Sequence, residues 1–265
     1  MQDLTITLMQ ASLAWKDKEQ NLRKFGDWIA GLSTKPDLIV LPEMFSTGFV
    51  VEPAGVAETM DGPAMQWMKL QAEISGCTIT GSLVISESGK YYNRLIWMRP
   101  DGSYETYDKR HLFRMGNEHE RFAQGQSKLI VELNGWKIMP LVCYDLRFPV
   151  WSKNKLAGGE YDYDFMIYVA NWPASRSLQF RSLLVARAIE NQVYLAGVNR
   201  VGPDGNGVAH QGDSAFIGFK GNYLLQCPPD KEHIATYTLS WQALEDQRRQ
   251  FAVGLDWDRF SIEGL

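Results

Sequence analysis

Hydrophobic and polar positions along this chain follow two periods, and the switches between them divide it into elements. Thr5-Ile6-Thr7-Leu8 alternates as a strand does, whereas Asp17–Leu32 places Leu22, Phe25, Trp28, Ile29 and Leu32 at helical spacing. The apolar run Leu38–Leu41 predicts a buried strand closed by Pro42 and Glu43, completing a β-α-β opening. A second round predicts a helix over Gly62–Ser75, a strand over Thr78–Ile85, and strands Tyr92–Met98 and Ser103–Tyr107 joined by the turn Pro100-Asp101-Gly102. After a polar stretch from Arg110 to Ser127, strands Leu129–Leu133 and Trp136–Val142 flank Asn134-Gly135, a dipeptide suited to a tight type I′ turn. A third round predicts strand Asp164–Ala170, helix Ser175–Asn191 and strand Gln192–Asn199. Strands Ser214–Lys220 and Tyr223–Gln226, joined through Gly221-Asn222, strand Ala235–Leu239 and a polar helix Trp241–Phe251 complete the chain. Helices alternating with mixed strands predict an α/β fold with covered sheet faces. The hairpins fit a two-sheet sandwich with helices outside, with a doubly wound sheet as the competing arrangement.

Composition narrows the class. With 265 residues and 45% hydrophobic content the chain can bury a large core, and residues 1–265 are read as one domain without repeats. A net charge of −4, with no basic run longer than Lys109-Arg110, argues against nucleic acid or an anionic membrane surface and favours a small solute. The start, Met1–Gln10, lacks a basic region followed by a long apolar one, and no later run approaches the roughly 18 apolar residues of a membrane span, so a cytoplasmic protein is expected. Three scattered cysteines, Cys77, Cys143 and Cys227, suit free thiols rather than a disulfide framework. His111, His119, His210 and His233 do not show metal-ligand spacing with them, so no metal is expected, and a papain-like Cys-His pair lacks its sequence context.

Three positions combine reactive side chains with strand or loop mouths. Cys143 follows the apolar run Gly135–Val142 and precedes the polar turn Tyr144–Pro149, a placement that can expose a sulfur while the next backbone N–H groups face an incoming carbonyl. A buried packing cysteine is the competing reading, and it is the one adopted for Cys77 and Cys227. Glu43 stands at the mouth of its strand and Lys109 at the head of the loop after Tyr104–Asp108, although most such residues are solvated. Asp145 and Arg147 are expected to brace the turn after Cys143 as a buried pair.

Taken in order, Leu41-Pro42-Glu43, the loop Lys109–Phe113, Glu118 followed by Gly125, and Cys143–Pro149 resemble the nitrilase superfamily of carbon-nitrogen hydrolases over almost the whole chain. The segments Ala170–Arg176, Arg187–Gln192 and Gly197–Gly202 resemble its omega-amidase branch. The resemblance implies a four-layer αββα sandwich, a Glu-Lys-Cys triad and release of ammonia from a terminal carboxamide with no cofactor.

Amide hydrolysis needs a nucleophile, a base that later serves as an acid, and a site for the oxyanion, and Cys143, Glu43 and Lys109 would supply these in turn. Because one carboxylate must do both proton transfers, the pocket around Glu43 is expected to be apolar and narrow. The Tyr144 N–H would share the oxyanion with Lys109. The family's second glutamate corresponds to Glu118, with Glu120 the alternative, and would orient Lys109 and the substrate amide. Omega-amidases act on 2-oxoglutaramate or succinamate, whose distal carboxylate calls for a cation. Arg176 is the candidate, with a helix-start salt bridge as its competing role and Arg114 as the other possible anion partner. Trp172 and Phe113 would wall the pocket. Nitrile, N-carbamoyl and deaminated-glutathione hydrolysis, a non-catalytic scaffold and an ammonia-feeding glutaminase domain are the competing functions. The resemblance also implies a homodimer, to which Leu255–Phe260 would contribute through exposed aromatics.

Overall fold

Residues 1–263 are described here as a computed structural model. The amino-terminal half runs β1 (Leu4–Gln10), α1 (Lys18–Ala30), β2 (Leu38–Val40), α2 (Pro63–Ser75), β3 (Thr78–Glu87), β4 (Lys90–Met98), β5 (Tyr104–Asp108) and the four-residue α3 (Glu118–Arg121). There follow β6 (Val131–Leu133), β7 (Trp136–Val142), α4 (Pro149–Ser152), β8 (Leu156–Ala157), β9 (Glu160–Tyr161), β10 (Phe165–Ala170) and α5 (Ser177–Asn191). The chain continues through β11 (Tyr194–Asn199), β12 (Val201–Pro203), β13 (Ala209–Gln211), β14 (Ala215–Ile217), β15 (Tyr223–Gln226), β16 (His233–Leu239) and α6 (Trp241–Gln250).

Two mixed six-stranded sheets result, in the orders β16-β1-β2-β3-β4-β5 and β15-β14-β11-β10-β7-β6. The sheets pack face to face. Alternation along β1 sends Leu4, Ile6 and Leu8 into the inter-sheet core beside Trp97, Ile138 and Phe216, while Met9 joins Ile39 and Ile79 beneath Phe25 and Ile29 of α1 and Met65 and Met68 of α2. Phe180 and Leu184 of α5 cover the far side of the second sheet. The layers are therefore α, β, β, α, the sandwich that the resemblance implies. Strands β10 and β11 are buried at every position, as parallel strands covered on both faces must be.

Local chemistry explains most boundaries. Asp17 caps α1 by accepting from Gln20 N at 3.0 Å. Asn134 (φ +53°) and Gly135 (φ +87°) both take positive φ in the β6–β7 turn. Pro140 sits inside β7 without breaking it, because β6 pairs only as far as Ile138, so no partner on that side needs its missing N–H.

Three features of the structure depart from the sequence reading. The strand expected over Ser214–Lys220 stops at Ile217, because Gly218 N bonds Asn222 O at 2.9 Å and Gly221 turns at φ +84°. The hairpin β12–β13 was not anticipated at all. Within Leu255–Phe260, Lys153 lies over the Trp257 ring, which also packs against Tyr161, and Phe260 faces Lys155, so these aromatics are half-buried on their own chain and Leu255 (76% exposed) is the large apolar side chain of that segment that stands out. No helix among the described residues is long and apolar enough to cross a membrane.

Candidate active site

Strand direction gathers the chemistry at one end of the sandwich. β1, β2 and β3 are parallel, and β5 regains their direction through the antiparallel β4, so Glu43 after β2 and Lys109 after β5 emerge at the same end of the first sheet. In the second sheet β7 and β10 are parallel and deliver Cys143 and Asn171 from their carboxyl ends. Glu43 is fully buried, Lys109 is 1% exposed and Cys143 9%.

The Lys109 ammonium bonds Glu43 Oε1 at 2.9 Å and Glu118 Oε2 at 2.9 Å. Burial disfavours that charge, but Glu118 and Glu43 outweigh it and hold the proton well above the ordinary lysine range. Gly125 keeps the lysine in place. Its N–H bonds Lys109 O at 3.0 Å, and a Cβ on Gly125 would lie 2.0 Å from Asp108 O. Glu118, also fully buried, accepts from Phe113 N at 2.7 Å; burial raises its pKa, with Lys109 acting against the shift. Glu120 points to solvent, so of the two candidates the structure brings only Glu118 to the lysine.

Glu43 is dry but not in apolar surroundings, which corrects the expectation for its pocket. Its Oε1 accepts from Lys109 and from Asn93 Nδ2 at 2.8 Å, and its Oε2 from Asn171 N at 2.8 Å. This ring of donors fixes the carboxylate's orientation. Asn93 bridges to Glu118 Oε1 at 3.1 Å, and Asn171 Nδ2 also holds Glu43 O. Sequence reasoning gave neither asparagine a role. Asn93 shares the period-two parity of the inward Leu95 and Trp97, and Asn171 follows β10 as Cys143 follows β7, so both signals were present.

Cys143 directly follows β7 with φ +43°, a conformation that costs a non-glycine residue about 1–3 kcal/mol and marks a sharp turn at the strand's mouth. Burial pushes its thiol well above the ordinary cysteine range. Repulsion from Glu43 adds to this, while Lys109 and the Asn171 N–H oppose it. The resting sulfur therefore keeps its proton. Asp145 does brace the turn, but not with Arg147: its carboxylate accepts from Tyr107 OH, His111 and Val142 N. The turn's own geometry places Arg147 in the cavity instead, with its guanidinium 4.8 Å above the Trp172 ring. His111 stacks on Phe148 at 3.8 Å.

A cavity of about 380 Å³ opens onto this cluster and is lined by Lys109, Phe113, Cys143, Tyr144, Arg147, Asn171, Trp172 and Arg176, and by Asp204 and His210 of the β12–β13 hairpin. Trp172 both packs on Phe180 and walls the cavity. Arg176 makes no helix-start salt bridge among the described residues; it reaches Met115 Sδ at 3.2 Å and lies over Phe113. Arg114 is exposed and does not line the cavity. Cys77 and Cys227 are buried elsewhere, in keeping with packing.

Residues 5–249 match the carbon-nitrogen hydrolase family. The chain belongs to that family. Omega-amidase YafV of Escherichia coli (strain K12) is 44% identical over 262 residues, spanning 99% of this chain and 100% of the relative. The 2-oxoglutaramate amidase of Bacillus subtilis (strain 168) is 32% identical over 211 residues, 78% of this chain and 80% of the relative. A crystal structure of a CN-hydrolase superfamily protein from Xanthomonas campestris, with an arsenic adduct in its active site, superposes with a TM-score of 0.97 at 45% identity, covering 99% of this chain and 100% of that one. This carbon-nitrogen hydrolase is accordingly a nitrilase-superfamily amidase acting on a small amide.

Proposed function

We propose that this hydrolase cleaves the terminal amide of a small omega-amido dicarboxylate, of the 2-oxoglutaramate or succinamate type, to the acid and ammonia through a thioester on Cys143. The observation that carries this reading is the cavity's polarity. Its lining holds the Cys143 thiol and Lys109, whose ammonium bonds the buried Glu43, while Arg147 and Arg176 in the same lining have no carboxylate partner among the described residues. A guanidinium fork left without an acid is suited to a substrate carboxylate.

Because the thiol is held protonated, Glu43 must take its proton as sulfur attacks the carbonyl carbon. The carbonyl π pair moves onto oxygen, where Lys109 and the Tyr144 N–H donate to the oxyanion, donors of a kind worth about 3–4 kcal/mol each in a water-poor site. Collapse breaks the C–N bond, and Glu43 returns its proton to the departing ammonia. Water then loses a proton to Glu43 and attacks the thioester; the acid leaves and Cys143 regains its hydrogen. Glu118 orients Lys109, and Phe113 and Trp172 flank the substrate chain. Water is the only co-reactant. The 2-oxoglutaramate amidase of Bacillus subtilis supports the substrate class by similarity. A homodimer in the cytoplasm is part of this reading.

The test is ammonia release from 2-oxoglutaramate, succinamate, deaminated glutathione, an N-carbamoyl amino acid and a simple nitrile, assayed side by side with Cys143→Ala as the blank. The first two are expected to turn over fastest and the variant to release nothing. A preference for any of the others, or undiminished ammonia from Cys143→Ala, overturns the assignment.

A further inference from the structure

We propose that Asp145 is a positioning residue, a single buried carboxylate that locks the nucleophile's turn to the segment that carries Lys109. Asp145 is fully buried and accepts four hydrogen bonds: Val142 N at 3.1 Å and Tyr107 OH at 2.8 Å on Oδ2, and His111 N at 3.0 Å and His111 Nδ1 at 2.8 Å on Oδ1. Val142 immediately precedes the nucleophile. Tyr107 and His111 lie two residues either side of Lys109. Two further bonds complete the frame, from Trp151 Nε1 and from Arg110 N to Tyr107 OH at 3.0 and 3.2 Å.

This arrangement answers a need set by the backbone. Cys143 occupies a strained positive φ, and such conformations persist only where the surroundings over-determine them. The sulfur and the ammonium also come from different sheets, so their spacing depends on a tie between those sheets. Charge-assisted bonds to an ionised carboxylate are the stronger class, and here they converge from both sides on one group. Asp145 touches neither substrate nor reacting atoms; it acts through Val142 and through the segment that bears Lys109.

The inference rests on the amidase reading for its kinetic readout, so a second readout is kept independent of it. Asp145→Asn preserves size but turns an NH₂ toward two donors. Its kcat, normalised to Cys143 that iodoacetamide can label, is expected to fall about 100-fold with KM within about threefold of wild type. Tyr107→Phe removes one donor and should lower kcat about tenfold. Combining the two should be little worse than Asp145→Asn alone, because both act in one network. Alkylation of Cys143, followed by peptide mapping, should slow about tenfold in Asp145→Asn as the sulfur shifts relative to Glu43 and Lys109. A wild type that releases no ammonia from any amide would overturn the amidase reading while the alkylation rates still test Asp145. Unchanged kcat per labelled thiol in both variants, a loss carried wholly by KM, multiplicative effects in the double variant, or unchanged alkylation would each overturn the positioning role.

Discussion

A lysine between two buried carboxylates behaves unlike one in water. Two opposing carboxylates hold the Lys109 proton above the ordinary lysine range, and burial shifts the Cys143 thiol upward from its ordinary value. The sign follows directly: neither group loses a proton as pH rises from neutrality toward the ordinary cysteine value, so kcat/KM should show no alkaline decline between about pH 7 and 9. A one-proton fall inside that window would contradict the arrangement. Glu118→Gln removes the foremost support of the ammonium, so it should lower kcat about 100-fold and bring an alkaline decline to lower pH. Activity within a fewfold of wild type would remove Glu118 from the site. Arg147→Met and Arg176→Met are each expected to cut the ratio of kcat/KM on succinamate to that on a neutral amide about 30-fold or more; an unchanged ratio in one of them removes that arginine from carboxylate binding. At this scale the sequence was informative where reactive groups followed apolar runs, as at Glu43 and Cys143. It could not choose Glu118 over Glu120, because neighbours in a one-turn helix differ only in the direction they face. It misjudged Arg147 because adjacency along the chain suggested an ion pair with Asp145, whereas Tyr107, His111 and Val142 N occupy that carboxylate.

Elements position these groups through a few backbone contacts that side-chain patterns do not reveal. Gly125 is such a case, since its N–H holds Lys109 O and its lack of a Cβ admits Asp108 O. Gly125→Ala should push the loop from the end of β5, lower the thermal midpoint and reduce kcat more than tenfold even in the folded fraction. Wild-type activity in a fully folded variant would show that the loop relaxes freely. Strong periodicity made β1, β2, β7, β10, α1 and α5 legible, because two-sided burial leaves continuous apolar runs and one-sided burial leaves a helical stripe. The β12–β13 hairpin escaped notice because its strands are three residues each and the stretch between them, Asp204-Gly205-Asn206-Gly207, reads as loop. That hairpin nonetheless contributes Asp204 and His210 to the cavity.

For the whole molecule, cohesion comes from the inner faces of the two sheets. Phe216 of β14 meets Tyr237 of β16 at 5.7 Å between ring centroids, one from each sheet. Phe216→Ala should cost about 3–5 kcal/mol in chemical denaturation. A cost below about 1 kcal/mol would mean the sheets do not depend on that contact. The αββα layering was expected through the resemblance rather than from periodicity, which fits one sheet or two equally well, because pairing between distant strands leaves no local mark. The arrangement of charge along the cavity has a further consequence for turnover. Two buried carboxylates hold the one ammonium in its lining, and two guanidinium groups line the same cavity. On the proposed reading, a monoamide with one free acid group binds with its uncharged end toward Lys109 and its acid on the guanidinium groups. Hydrolysis of such a substrate would create a second anion near Glu43 and Glu118, like-charge repulsion would drive the diacid outward, and weak inhibition by the product is therefore expected.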